Sequence, residues 1–305
     1  MILRLPLGGR SRKNFKKFAF FSFFLKFLCA IMLFMKIKVL IDNISKNTLK
    51  KEWGLSIYIE YNGKKFLLDT GGSAKFAKNA ESLDVDIPAV DFAVLSHAHY
   101  DHSNGMAKFF KLNKTAPFVL RETAGETCYH HNFGFINKYI GIRRGWLKKF
   151  ADRLVFASGK CKLEDGVYLL PHTTPGLEEK GKRAHLYIKE NGRIVPDSFK
   201  HEQSLVFETE KGLVIFNSCS HGGADNIIKE TAAAFPNQKI YGIIGGFHLF
   251  CLPEDAVRQF ARRVADTGIE HVITGHCTGQ RAYEILREEL GDKVQQMYSG
   301  MEMEI

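Results

Sequence analysis

The chain has 305 residues, 45% of them hydrophobic, 25% charged and 12% aromatic, with a formal net charge of +10. That is enough apolar material for a sizeable core, and it excludes a disordered or fibrous chain. The excess charge sits at one end: residues 1–38 hold nine Lys/Arg and no acid, whereas residues 39–305 hold 34 basic against 33 acidic residues. A near-neutral body gives no support to a nucleic-acid groove, and no nucleic-acid partner is expected. The six Cys show no CxxC spacing. In a chain of this length they read as reduced thiols, which favours a reducing compartment.

Residues 1–34 stand apart. A basic run over 10–17 is followed by an apolar stretch, and residues 15–34 hold eight of the chain's 25 Phe. Basic then apolar is the order of a signal peptide or an N-terminal anchor. Lys26 cuts the apolar run into pieces too short to span a bilayer. A start at Met35, which opens MKIKVLIDN, is the equal alternative. Fold reasoning therefore begins at residue 35. The expected location is cytoplasmic, with membrane anchoring or export through this segment as the alternative.

From residue 36 the pattern alternates between strands and helices. Residues 36–41, 55–61 and 64–69 read as strands, the last two joined by the turn pair Asn62-Gly63. Ser73 is a cap candidate for a helix over 74–82. Residues 92–95 read as a buried strand, 105–112 as a helix and 117–120 as a strand. The Gly-rich, charged stretch 121–200 reads as an insertion carrying two strands, 166–170 and 184–189, among long loops. Strands follow at 204–208, 213–216, 239–244 and 271–273, with helices over 224–234, 253–265 and 280–289. The expected organisation is one α/β domain over 35–305, two sheets with helices outside and the insertion at about 121–200.

The strongest chemical signal is Ser96-His97-Ala98-His99-Tyr100-Asp101-His102. It places four metal-ligand side chains within six residues, directly after an apolar strand. His97 and His99 are two apart and point to one side at a strand end. Asp101 and His102 follow where the chain turns into a helix and can face a second ion. Neutral imidazole and carboxylate suit Zn²⁺, with Mn²⁺ or Fe²⁺ as alternatives.

HAHYDH resembles the HxHxDH motif of the metallo-β-lactamase superfamily, and Leu67–Gly71 (LLDTG) resembles the Asp segment that precedes it there. Residues 39–43 (VLIDN), 218–221 (SCSH), 245–249 (GGFHL) and 275–279 (GHCTG) together resemble one branch of metal-dependent hydrolases. That branch includes the dihydropterin–ribofuranosylaminobenzene-phosphate synthases of methanopterin biosynthesis. The resemblance spans about residues 36–300. It implies a four-layer αββα sandwich with two divalent ions at one edge. It further implies His221 as the third ligand beside His97 and His99, and His276 as the third beside Asp101 and His102. A bridging Asp is usual where Asn217-Ser218-Cys219 stands, so the bridge is open between a water or hydroxide and Cys219.

Asp69 is expected to orient a metal-bound His through its ring N–H. His248 is read as stabilising charge on the substrate, with metal ligation as the alternative. Asp101 is read as both ligand and orienter of the nucleophile. Cys277 reads as a buried thiol near substrate, and Thr278 as a helix cap. His130 and His131 read as loop residues, and His172 and His201 as structural. Lys138, Arg143 and Arg144 read as a solvated face, with contact to an anionic substrate as the alternative.

The expected activity is attack of hydroxide, formed at the dinuclear site, on a small ester, phosphoester or lactone. The alternative is a diphosphate-releasing transferase resembling the synthase, with Tyr139, Trp146 or Phe150 as pterin-stacking candidates. A third reading is a membrane-tethered metal sensor without catalysis. The expected partner is an anionic small molecule, with a homodimer left as an open alternative and a membrane only through residues 1–34.

Overall fold

The computed structural model describes residues 35–132 and 136–305; the expectations for residues 1–34 lie outside the described residues. In chain order the first half runs β1 Lys36–Ile41, β2 Ser56–Tyr61, β3 Lys64–Leu68, α1 Lys75–Ser82, β4 Phe92–Val94, α2 Tyr100–Ser103, α3 Met106–Leu112 and β5 Phe118–Arg121. Next come β6 Cys128–Asn132, β7 Ile136–Tyr139, α4 Trp146–Lys149, β8 Leu154–Ala157, β9 Cys161–Glu164, β10 Val167–Pro171, α5 Glu178–Arg183, β11 Leu186–Glu190 and β12 Arg193–Pro196. The last part holds β13 Gln203–Thr209, β14 Gly212–Phe216, α6 Ala224–Ala234, β15 Ile240–Gly245, α7 Glu254–Ala265, β16 His271–Thr274, α8 Gln280–Leu290, β17 Val294–Gln296 and β18 Glu302–Glu304.

Two seven-stranded mixed sheets face each other, in the orders β18-β1-β2-β3-β4-β5-β8 and β17-β16-β15-β14-β13-β10-β9. The strand periodicity of two explains the layering. Ile57 and Ile59 of β2 and Phe66 and Leu68 of β3 point into the gap between sheets, where they meet Leu205, Phe207, Val214 and Phe216. The intervening Tyr58 and Leu67 face Phe76 of α1 and Met106 and Phe109 of α3. On the second sheet, Val206, Leu213 and Ile215 face Ile227 and Ile228 of α6, Val257 of α7 and Ile285 of α8. The result is an αββα sandwich with three apolar seams.

Two helix ends differ from expectation. Ser73 does accept a hydrogen bond from Lys75 N at 3.2 Å, but the N-cap of α1 is Ala74. Thr278 caps nothing: its hydroxyl accepts from Phe247 N at 3.0 Å and pairs with Thr274 Oγ1 at 2.6 Å, tying two loops together.

The stretch 121–200 differs more. Two strands were expected; among the described residues seven, β6 to β12, lie there. β8 is an edge strand of the first sheet, and β9 and β10 end the second. Only β6, β7, β11 and β12 form a structure of their own, a four-stranded sheet ordered β12-β11-β6-β7. It leans on the site loop, where His99 bridges to Gly141 and Tyr100 N donates to Ile140 O at 2.8 Å.

Candidate metal centre

The site forms where loops leave the strands of both sheets at one edge. The loop after β4 carries His97, His99, Asp101 and His102. The loop after β14 carries Cys219 and His221, the loop after β15 carries His248, and the turn after β16 carries His276 and Cys277. Asp69, Ser220, His248 and His276 all hold positive φ, between 46° and 59°. Backbone strain in non-glycine residues gathers at sites where geometry is over-determined.

The rings fall into two groups. His97, His99 and His221 form a near-equilateral triangle, with centroids 4.6, 4.9 and 4.9 Å apart. Next to it, the His102 and His276 rings are 4.9 Å apart, and Asp101 Oδ2 lies 3.6 Å from Nε2 of both. His97 and His102 join the groups at 4.2 Å. Cys219 stands between them: its Sγ lies within 4.8 Å of donors on His97 and His221, and equally of donors on His102 and His276. The open question of the bridge thus meets a thiol at the place between the groups.

Hydrogen bonds fix the tautomers of His97, His102 and His276. Ser96 Oγ donates to Asp69 Oδ2 at 2.6 Å, so it accepts from His97 Nδ1 at 2.8 Å. His102 Nδ1 donates to Asp69 Oδ2 at 2.8 Å, and His276 Nδ1 donates to Asn43 Oδ1 at 2.9 Å. The Nε2 atoms of all three therefore aim at the cavity. Nε2 of His97, His99 and His276, and both nitrogens of His221, are buried without a hydrogen-bond partner among the described residues. Orphaned buried nitrogens are costly unless something binds them. Divalent cations fit this donor set: imidazoles, a carboxylate and a thiol at converging positions.

Electrostatics agree. Burial drives His97 and His221 well below the usual imidazole range, takes His99 down to about 3 and lowers His276, so all four are neutral. Burial opposes the charge of Asp101 too, but the imidazoles of His102 and His276 outweigh it and hold the carboxyl ionised. Burial also opposes charge on His102, yet Asp101 and Asp69 push it up to about 10. Two carboxylates around one imidazole demand a cation there, and a divalent ion meets that demand as well as a proton does.

A supporting layer surrounds the donors; His172 and His201 in it were read as structural, whereas the roles of Asp42, Asn43, Asp197, Glu202 and Glu230 escaped the sequence reading. Asp42 Oδ2 accepts from His276 N at 2.9 Å, and Asn43 Nδ2 donates to His276 O at 3.0 Å. Glu202 accepts from the backbone N–H of His221 and Gly222 at 3.0 and 3.1 Å. His172 lies between Glu202 and Glu230, at 2.5 and 2.9 Å. Ala98 N donates to His201 Nδ1 at 3.2 Å, so His201 Nε2 carries the proton donated to Asp197 at 2.8 Å. This bond fixes the backbone between His97 and His99. For Asp42 and Asn43 the VLIDN motif was the sequence signal; for Glu202, Glu230 and Asp197 there was none.

The site opens into a cavity of about 250 Å³. His248 lines it with an unpartnered Nδ1, and the backbone N–H of His248 donates to Cys277 Sγ at 3.2 Å. Cys277 Sγ is 3.4 Å from Cys219 Sγ. Lys138 lines the cavity, as its alternative reading had it, and His130 lines it too, which was not expected; Arg143 and Arg144 instead pack on Trp146 and Tyr139. The aromatic candidates Tyr139, Trp146 and Phe150 are absent from its wall. Trp146 and Phe150 pack into the seam under the first sheet. The aromatic side chains on the wall are Trp53, Tyr100 and Phe250.

The sandwich and its His-rich edge define a metal-dependent fold, and the metallo-beta-lactamase superfamily pattern matches residues 54–225. The chain belongs to that superfamily. It is 29% identical over 285 residues, 85% of this chain and 96% of the relative, to 7,8-dihydropterin-6-methyl-4-(beta-D-ribofuranosyl)-aminobenzene-5'-phosphate synthase of Methanocaldococcus jannaschii. Among solved structures it is similar to Tm1679, a metal-dependent hydrolase of the beta-lactamase superfamily, with 31% identity and a TM-score of 0.77 over 89% of this chain and 99% of that one. YhfI of Bacillus subtilis shares the fold, at 11% identity and a TM-score of 0.52, over 89% of this chain and 99% of that one.

Proposed function

We propose that the chain is a metal-dependent hydrolase acting on an ester, phosphoester or lactone of a small anionic molecule. The observation that carries this is the convergence of buried, unpartnered imidazole nitrogens around Cys219 and Asp101. His97, His99 and His221 would hold one ion, and Asp101, His102 and His276 the other, with Cys219 between. Ions held there would lower the pKa of a bound water and polarise the oxygen of the bond under attack. The ionised Asp101 would also orient the attacking water. His248, facing the same cavity, hydrogen-bonds the oxygen on which charge develops. Lys138 at the mouth draws in an anionic substrate.

A second reading is a transferase that releases diphosphate while a carbon or amine takes the place of water. It is supported by the 29% identity over almost the whole synthase and by the aromatic wall. Both readings use the same donors.

Elemental analysis of protein begun at Met35, beside a His97→Ala/His102→Ala double variant, tests the site. The expected result is about two ions per chain, largely lost in the double variant. A phosphoester and lactone screen with the loaded protein follows, with dihydropterin diphosphate plus an aromatic amine as the arm for transfer. Wild-type protein that takes up no Zn²⁺, Mn²⁺ or Fe²⁺ overturns both readings.

A further inference from the structure

Cys219 and Cys277 belong to different loops, 58 positions apart in the chain, yet their sulfurs lie 3.4 Å from one another. Both side chains are buried, and both line the wall of the cavity. The approach is built into the backbone. Gly246 N donates to Ser218 O at 2.8 Å and Phe247 N to Thr278 Oγ1 at 3.0 Å, so the loop after β15 holds the other two together. Gly246 also leaves the room that this needs: an added Cβ there would meet Cys277 Sγ at 2.6 Å and Ser218 O at 2.7 Å.

The two thiols differ in their neighbours. Cys219 Sγ is 3.3 Å from His102 Nε2, and it is the donor shared by the set with His97 and His221 and the set with His102 and His276. Cys277 Sγ accepts from His248 N at 3.2 Å and belongs to neither of those two sets. The sulfurs need only close to about 2.05 Å to be bonded. Such a bond would take from both sets, in one step, the donor they have in common.

We propose that Cys219 and Cys277 are a site of oxidative modification: a peroxide joins them in a reversible disulfide, which withdraws the shared thiol and weakens the hold on the ions. The proposal rests on the metal-centre reading above and adds its regulation. In a reducing compartment the pair stays as thiols until an oxidant arrives. Cys277, which neither set of donors needs, takes one oxygen from hydrogen peroxide to become a sulfenic acid, and the other oxygen leaves as water. Cys219 then attacks that sulfur; the S–S bond forms, the S–O bond breaks and a second water leaves. Two electrons pass from the sulfurs to the peroxide, and a dithiol returns them.

The full chain, reduced and zinc-loaded, is treated with hydrogen peroxide, blocked with N-ethylmaleimide in denaturant and digested with trypsin without reduction. Cleavage after Lys211, Lys229, Arg263 and Arg281 places the two cysteines in peptides 212–229 and 264–281. Mass spectrometry should find these peptides joined, lighter than their sum by two hydrogens and separated by dithiothreitol. On the same samples a chromophoric chelator should read a zinc affinity lowered at least about tenfold, regained after dithiothreitol. Cys277→Ser should bind zinc like the parent and keep it at peroxide concentrations that empty the parent. Absence of the joined peptides overturns the proposal, as does a disulfide that leaves zinc affinity unchanged. A Cys277→Ser variant that releases zinc at the same peroxide concentration overturns it too, and so does one that binds no zinc, because both thiols would then hold the ion. Zinc-loaded protein that never joins the peptides removes this proposal alone. Protein that takes up no zinc but joins them removes the enzyme reading and leaves the disulfide standing.

Discussion

Asp69 spends both carboxylate oxygens on the site: Oδ1 accepts from Ser96 N at 2.7 Å, and Oδ2 accepts from Ser96 Oγ and His102 Nδ1. Asp69→Asn keeps the shape but removes the charge and puts an N–H where one of these donors points. The expected outcome is a zinc affinity lowered about 10–100-fold, measured by competition against a chromophoric chelator; an unchanged affinity would show that His102 needs no such partner. Asn43→Ala should act the same way through His276. Cys219 carries its own signature. Cobalt-loaded protein should show a near-ultraviolet thiolate-to-cobalt charge-transfer band that Cys219→Ser abolishes and Cys277→Ser keeps. A band that survives Cys219→Ser would exclude that thiol from the ions.

Among elements, the clamp around His172 ties α6 to the His221 loop. Glu230 of α6 accepts from Thr173 N and Thr174 N as well as from His172, and Glu202 reaches the backbone of His221. Burial lowers the basicity of His172, but Glu202 and Glu230 outweigh it and push it up to about 9. Because the folded value lies above the ordinary one near 6.5, this stabilisation is complete below about pH 6.5 and is lost as pH rises through about 9. Thermal stability should therefore fall across that window, and His172→Gln should flatten the fall, as read by melting at several pH values. His172→Ala leaves the buried Glu202 and the partly buried Glu230 without their cation and should cost about 3–5 kcal/mol, measured by denaturant unfolding. The contrast between these elements and the rest explains what the sequence revealed. Strands β2, β3, β13 and β14 alternate between two buried seams, so their apolar runs are unmistakable. β8 exposes Val155 and Phe156, and β6 reads CYHHN; an edge strand or a small polar sheet lacks the buried face that makes periodicity visible. Likewise the HAHYDH cluster is contiguous and could be read directly. Glu202, Asp42 and His201 act on backbone groups of distant loops, which leaves no spacing pattern.

At the scale of the whole molecule, the two groups of donors come from both sheets, so bound ions would cross-link the halves of the sandwich. Ions bound at 100 times their dissociation constant add about 2.7 kcal/mol per site. Each kcal/mol moves the melting point of a chain this size by roughly 2–4 °C. Chelation should therefore lower the melting temperature by about 5–10 °C per ion removed, read by calorimetry. No shift would mean that the ions, if bound, do not prefer the folded state. Among the described residues no helix is long and apolar enough to cross a membrane.

The bond from His276 Nδ1 to Asn43 Oδ1 joins residues 233 positions apart. During synthesis Asn43 leaves the ribosome long before its partner exists. His97, His99, Asp101 and His102 emerge early as well and wait, unsupported, for the segments after β14 and β16. A nascent chain thus carries half a chelate that cannot close, and metal capture belongs to the last moments of its making.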